Sequence, residues 1–244
     1  MIFIDYNKKR VFILAAKCGN HTISDYLNCG LQGSFDQTEI SSALGNKDFK
    51  KIFVIRNPYV RFLSGFYEDL GNNDCYNNID VSFKQYVQFL YYCHCNKIAN
   101  VNNLNVYFPN NNQEIYWGGN LDLQLPITDV NGTITGHIEK QTQFIKFFFD
   151  LFQIKDIKVI DVCELSDTLG LKSSSEIKNT KTYTLGNVTN QIKLSDLKKN
   201  PELRVNHKLL YDKEIISILD VIYKDDFDFI KYLNRNGYNF NYEI

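Results

Sequence analysis

The chain has 244 residues, 44% of them hydrophobic, which is material for one α/β domain of ordinary size with a sizeable core. The formal net charge is −1, so bulk charge makes no case for nucleic-acid binding, although a local basic pocket stays open. No run of about 18 uninterrupted apolar residues occurs; no membrane span is expected, and the lack of an anchor favours a soluble, cytoplasmic protein.

Lys8 to Arg10 precede a short apolar run, as in a secretion signal, but the run ends in Lys17-Cys18-Gly19 rather than a small-residue cleavage site. Residues 11–16, VFILAA, therefore read as a central parallel strand buried on both faces. After the turn Cys18-Gly19-Asn20, the spacing of Ile23, Tyr26 and Leu27 predicts a helix, with Gly30 and Gly33 flanking its end. A second strand, Lys51 to Ile55, ends at Arg56. Asn57-Pro58 then reads as a cap followed by Pro at the first helical position. In that helix Phe62, Leu63, Phe66, Tyr67 and Leu70 form an apolar stripe, and Arg61, Ser64, Gly65 and Glu68 a polar or small face.

Residues 83–95 predict an aromatic helix. Residues 97–135, rich in Asn, Gly and Pro and holding Trp117, predict an irregular excursion with a hairpin around Asn131-Gly132. A helix over 138–152 follows, burying Phe144, Ile145, Phe148, Leu151 and Phe152. Lys158 to Val162 reads as a third strand, residues 172–206 are polar and poorly patterned, and a last helix runs from Asp212 to Leu233. Strands alternate with helices and no linker divides the chain. The expected fold is one α/β domain over 1–244, three-layered αβα, with a mainly parallel sheet and a P-loop-like phosphate-binding turn.

The six cysteines, at 18, 29, 75, 93, 95 and 163, form no C-x-x-C pair and suit reduced thiols in a cytosol-like compartment. Cys93-His94-Cys95 clusters three metal-ligand types, but adjacent residues on a helix point in different directions and no second ligand pair is evident; no metal is expected. Asn-x-Ser/Thr triplets at Asn20, Asn131 and Asn187 are weak signs of secretion in so Asn-rich a chain.

Two segments carry chemistry. The turn Ala16-Lys17-Cys18-Gly19-Asn20-His21-Thr22 follows a strand and opens a helix, a geometry that aims free backbone N–H groups and a positive helix end at an anion. Lys17 adds a point charge and Thr22 a hydroxyl. The Walker pattern Gly-x-x-x-x-Gly-Lys-Ser/Thr is absent, and by itself the turn is equally an ordinary strand-to-helix connection with a surface lysine. The second segment is Arg56-Asn57-Pro58-x-x-Arg61-x-x-Ser64-x-Phe66. Arg56 sits at the carboxyl end of a strand, where open α/β sheets bind ligands, beside the first turn if the strands are neighbours. An Arg fork and a Ser hydroxyl can grip a phosphate together.

This pair of motifs resembles the signature with which sulfotransferases bind 3′-phosphoadenosine 5′-phosphosulfate (PAPS). In that family a Pro-Lys-x-Gly/Ala-x-Thr-Ser/Thr turn binds the 5′-phosphosulfate, and an Arg-Asn/Asp-Pro-x-x-Arg-x-x-Ser-x-Tyr/Phe element binds the 3′-phosphate. The second motif matches at every defined position. The first matches at Lys17, Gly19 and Thr22 and departs at Ala16, where Pro is usual, and at His21, where a hydroxyl residue is usual. The C-terminal helix is similar to that of Golgi-type carbohydrate sulfotransferases at Leu219, Tyr223, Asp226, Phe227 and Tyr232, and departs at Ile230; His137, Gln141, Phe144 and Ile145 loosely fit a further pattern of that group.

The resemblance implies transfer of a sulfuryl group from PAPS to a hydroxyl acceptor, with a carbohydrate as the first expectation. It assigns donor contacts to Lys17, Cys18, Gly19, Asn20, His21, Thr22, Arg56 and Ser64. Lys17 would stabilise the leaving oxygen, and no metal is required. For the base that takes the acceptor proton the candidates are His137 first, then Glu68, with His21 and His94 behind. Tyr107, Tyr116 and Trp117 suit a sugar-stacking wall, and equally a plain surface loop. The competing expectations are a nucleotide kinase-like phosphoryl transferase, which would need magnesium, and a PAPS-binding module without turnover.

Overall fold

The computed structural model describes residues 1–15, 17–30, 33–34, 36–72, 81–95, 104–108, 113–117, 127–128, 134–135, 157–171, 190–200 and 210–242. In chain order the strands are β1 Ile2–Asp5, β2 Arg10–Leu14, β3 Lys50–Ile55, β4 Leu104–Phe108, β5 Gln113–Trp117, β6 Ile127–Thr128, β7 Ile134–Thr135 and β8 Ile157–Asp161. The helices are α1 Asn20–Leu27, α2 Gln37–Gly45, α3 Pro58–Asn72, α4 Phe83–Cys95, α5 Leu165–Leu169, α6 Leu194–Lys199, α7 Lys213–Ile222 and α8 Lys224–Arg235, with a 3-10 turn at Val162–Glu164. The chain falls into two compact units: Met1–Asn57 with Glu139–Ile177 and Asp228–Tyr242, and Pro58–Ile138 with Lys178–Phe227 and Glu243–Ile244.

The first unit is built on a four-stranded sheet of order β1-β2-β3-β8. β2–β3 and β3–β8 pair in parallel, as the alternation of strands and helices predicts, whereas β1 runs antiparallel to β2. The apolar run of β2 is buried at every position, and β3 is buried from Lys51 on, so both faces of the central strands are covered. On one face Phe12, Leu14, Ile52, Val54 and Ile160 share a core with Ile23 of α1. The β1–β2 hairpin was not expected: the run VFILAA carries the obvious signal, and Ile2–Asp5 is too short to compete with it. A buried ion pair closes the hairpin. Arg10 donates to the Asp5 carboxylate at 2.7 Å, the two groups being 8% and 3% exposed, and Arg10 also donates to the Thr168 carbonyl. Burial works against the Asp5 charge, but Arg10 and Lys8 together hold its carboxyl below the ordinary value.

Two readings of this unit change in detail. α1 ends at Leu27, and Asn28 in the left-handed region (φ 52°) is its cap. Gly33 does a different job: it bridges to Ile2 with φ 76°, and a Cβ there would fall 2.1 Å from the Ile2 carbonyl oxygen. α2 was not expected, although Asp36 caps it by accepting from the Thr38 and Glu39 N–H groups.

In the second unit α3 and α4 form where the stripes predict them. The core is aromatic. Phe66 meets Phe83 edge-on at 5.0 Å, and Phe83 stacks on Tyr211 at 6.1 Å. The C-terminal helix predicted from Asp212 to Leu233 is two helices. Asp212 caps α7 by accepting from Ile215 N, the helix closes at Tyr223 (φ −98°), and α8 starts again with Phe227 N donating to the Tyr223 carbonyl. The hairpin expected around Asn131-Gly132 is β6–β7, paired Ile127↔Thr135. A second hairpin, β4–β5, paired Leu104↔Trp117, was not expected within the Asn-rich stretch. The helix predicted over 138–152 lies outside the described residues. No described helix is long and apolar enough to cross a membrane.

Candidate functional site

The parallel pairing of β2 and β3 puts their carboxyl ends side by side, with Leu14 opposite Val54. Each strand therefore delivers its next few residues to the same edge of the sheet. β2 leads into the turn holding Lys17, Cys18 and Gly19; β3 leads to Arg56. The two are joined directly: Arg56 Nη1 donates to the Lys17 carbonyl oxygen at 2.8 Å.

The turn is tight and unusual in its backbone. Lys17 has φ 65°, a left-handed conformation that side chains other than those of Gly, Asn and Asp adopt reluctantly, and Gly19 has φ 95°. Cys18 points inward and is fully buried in the sheet core, so it can offer a ligand only its backbone. Gly19 packs so closely on the connection after β8 that a Cβ would lie 2.6 Å from Leu165 Cδ2 and 3.2 Å from Val162 Cγ2. No other residue fits there without a shift.

Gly19 is also the cap position of α1, and it brings no side-chain cap. The first intrahelical bond runs from Ile23 N to the Gly19 carbonyl, which leaves the N–H groups of Asn20, His21 and Thr22 without a helical acceptor. The first turn contains no acidic residue to neutralise the positive helix end. Lys17 is 9% exposed. Burial, and then the neighbouring Arg56 guanidinium, push its ammonium below the ordinary lysine value of 10.5. Two cations beside a helix start that has no side-chain cap are an arrangement that can bind an anion.

The structure thus brings Lys17, Cys18, Gly19, Asn20, His21, Thr22 and Arg56 together within the first unit. His21 is exposed on the first turn of α1, and Asn20 and Thr22 are half-buried. Ser64 is half-buried on α3 in the second unit. Glu68 belongs to the same helix with its side chain outside the described residues, and His137 also lies outside them. His94 is half-buried on α4.

Arg61, which the sequence groups with Ser64 on a polar face, has a different surrounding. It is 1% exposed, its Nη2 lies 3.3 Å from Asp226 Oδ2, itself 1% exposed, and its guanidinium sits 5.5 Å over the Tyr223 ring. It is a buried structural cation of the second unit. The signal for its partners was present in the C-terminal pattern that holds Tyr223 and Asp226, but nothing in that pattern says what the acid faces.

The Sulfotransferase family matches residues 6–233. No curated protein and no solved structure is detectably similar to the chain. The match runs through the lysine turn, the arginine at the end of β3 and the C-terminal helices, on a mainly parallel sheet. The chain belongs to the sulfotransferase family, whose reaction is sulfuryl transfer.

Proposed function

We propose that the chain transfers the sulfuryl group of PAPS to a hydroxyl of a carbohydrate acceptor. The observation that carries the donor assignment is the bond between Arg56 and the Lys17 carbonyl, which holds two cations at adjacent strand ends next to the uncapped start of α1. These residues fit a donor with two separate anionic groups. The Lys17–Thr22 turn suits the 5′-phosphosulfate, through backbone N–H groups and the Lys17 ammonium, and Arg56 suits the 3′-phosphate. Ser64 joins Arg56 in this reading on the strength of the sequence motif.

When bound, the donor supplies an activated S–O bond to phosphate. The acceptor oxygen forms a new bond to sulfur as that bond breaks, and 3′,5′-ADP leaves. Lys17 stabilises the charge growing on the leaving phosphate oxygen, which is where a fixed cation lowers the barrier most. The turn contributes by being set beforehand: Gly19 has no room to shift, and Arg56 holds the Lys17 carbonyl in place. The proton of the acceptor hydroxyl goes to a base, for which we propose His137, with Glu68 second. The reaction as written needs no metal.

Two features favour a carbohydrate. The C-terminal pattern of Golgi-type carbohydrate sulfotransferases recurs at Tyr223, Asp226, Phe227 and Tyr232. The β4–β5 register places Asn105, Tyr107, Glu114 and Tyr116 on one face of the hairpin, a mixture of amide, acid and aromatic residues that suits sugars; Trp117 falls on the other face with Leu104.

The test is thermal stability with 3′,5′-ADP, against 5′-ADP plus magnesium. Ligand at about a hundred times its dissociation constant adds about 2.7 kcal/mol, and each kcal/mol raises the midpoint of a domain this size by about 2–4 °C. A rise with 3′,5′-ADP alone, followed by label transfer from PAPS to a sugar, is the expected result. A rise only with 5′-ADP and magnesium would replace this reading with phosphoryl transfer. Binding of 3′,5′-ADP without transfer to any acceptor would reduce the protein to a binding module.

A further inference from the structure

The turn that carries Lys17 rests on the connection after β8, and that connection is itself held by the C-terminal segment. Asp161, the last residue of β8, pairs with Ile55, one residue before Arg56. Its carboxylate caps the following 3-10 turn by accepting from Cys163 N at 2.8 Å, while Glu164 reaches back to the Asp161 N–H. Val162, inside this capping box, and Leu165, the residue just after it, are the two whose side chains abut Gly19. Leu165 and Cys18 belong to one buried cluster. The second oxygen of Asp161 accepts the hydroxyl of Tyr242.

Tyr242 closes an aromatic file. Tyr238 stacks on Phe240 at 5.6 Å and Phe240 on Tyr242 at 6.1 Å, with interplanar angles of 13° and 20°. Asn234 fixes the file by bonding to both the N–H and the carbonyl of Phe240. The hydrogen bonds of the Tyr238 hydroxyl to β8 are long, 3.4 Å from Val159 N and 3.5 Å to the Ile157 carbonyl. The short contact is at the far end, on Asp161. Burial, then the Asp161 charge and its hydrogen bond, with the thiols of Cys163 and Cys18 further off, raise the Tyr242 hydroxyl well above its ordinary value, so it remains a protonated donor at all working pH.

We propose that Tyr242 is a positioning residue for the donor turn. Its hydroxyl orients Asp161, Asp161 sets the Val162–Leu165 turn, and that turn is the seat against which Gly19 shapes the backbone that receives the 5′-phosphosulfate. The inference rests on the donor assignment above and deepens it. It also explains why a carboxylate at the ligand edge of the sheet is not a rival base: both its oxygens are engaged in holding structure.

The test compares Tyr242→Phe with Tyr238→Phe, each removing one hydroxyl from the same aromatic file. Affinity is measured by calorimetry for 3′,5′-ADP, which engages the turn and Arg56, and for adenosine 3′-phosphate, which engages Arg56 without the turn. The parent protein is measured first; failure to bind 3′,5′-ADP overturns the donor assignment, and this inference with it. Given binding, Tyr242→Phe is expected to weaken 3′,5′-ADP about five-fold or more, the scale of one ordinary hydrogen bond lost. It should leave adenosine 3′-phosphate within two-fold, and Tyr238→Phe should leave both ligands within two-fold. Unchanged 3′,5′-ADP affinity in Tyr242→Phe overturns the inference while the donor assignment stands. Equal weakening of both ligands, or equal weakening by Tyr238→Phe, also overturns it, because it reports general loosening of the segment. Asp161→Asn keeps an acceptor for Cys163 N and should retain more 3′,5′-ADP affinity than Asp161→Ala; the reverse order would count against the same chain of contacts.

Discussion

Gly19→Ala isolates the physical demand of the proposed donor turn in a single methyl group. The added Cβ meets Leu165 Cδ2 at 2.6 Å and Val162 Cγ2 at 3.2 Å, and the backbone must hold φ 95° with a side chain present. Left-handed backbone costs an L-residue about 1–2 kcal/mol, and overpacking a filled site adds about 1–3 kcal/mol. The sum is about 3.5 kcal/mol at its centre, a fall in midpoint of about 7–14 °C at this chain length. Denaturant unfolding gives the free energy, and 3′,5′-ADP affinity reports the turn. The double variant Gly19→Ala with Leu165→Ala separates the two causes: it makes room for the methyl but leaves the backbone demand, so the added methyl should cost less in the Leu165→Ala background than in the parent. A Gly19→Ala protein as stable as the parent, with full affinity, would refute the packing argument; a methyl that costs as much in the Leu165→Ala background as in the parent would place the whole effect in the backbone.

Lys17→Ala should abolish transfer while the protein stays folded, measured by label transfer from PAPS together with circular dichroism; retained activity removes Lys17 from the mechanism. Arg56→Ala should weaken 3′,5′-ADP about tenfold or more, as expected for a charged hydrogen bond lost, by calorimetry. The same variant bears on pH dependence. Burial and Arg56 lower the Lys17 value, so the cation needed for transfer is present below that value and lost as pH rises through it, giving an alkaline limb of kcat/KM below 10.5. Removing Arg56 should move the limb upward, though burial keeps it under 10.5, and a limb that does not move would detach it from Lys17. Arg61→Ala should destabilise the protein by about 3–5 kcal/mol, because it strands a buried Asp226 carboxylate. Arg61→Met with Asp226→Leu should recover most of that stability in denaturant unfolding, and failure to recover would assign Arg61 more than the ion pair.

The parallel core of the fold was legible because its strands are short unbroken apolar runs between charged residues, VFIL after Arg10 and IFVI after two lysines, whose length and β-branched and aromatic content favour a buried strand. The elements that escaped are those whose stability comes from partners elsewhere. β1 is four residues long and exists as a strand because β2 pairs with it and Arg10 neutralises Asp5. The break between α7 and α8 leaves no mark in the hydrophobic spacing, since Leu219, Ile222, Tyr223 and Ile230 are buried on both sides of it. α2 was readable from its cap, Asp36 with Glu39 three residues on, but its apolar face is only Ala43 and Leu44.

At the site, residue type and spacing picked out the turn after β2 and the arginine after β3 as candidates, but said nothing of what Arg61 faces. Three cations, Lys17, Arg56 and Arg61, belong to the two motifs, and the resemblance gave a role to the first two alone. Burial separates them. Arg61 has an acid at 3.3 Å and an aromatic ring beneath it, all removed from water, so its charge is spent on holding its own unit together. Lys17 and Arg56 instead lie beside each other at strand ends, where burial and then the Arg56 charge lower the Lys17 proton affinity and the helix start adds to the positive field. A pair of like charges is kept close in a folded protein at a free-energy cost, and an anion bound between them relieves it. That difference, a cation paired with a buried acid against two side by side at strand ends, separates Arg61 from Lys17 and Arg56, and it depends on a neighbour as far away in the chain as Asp226, which the motif around Arg61 does not contain.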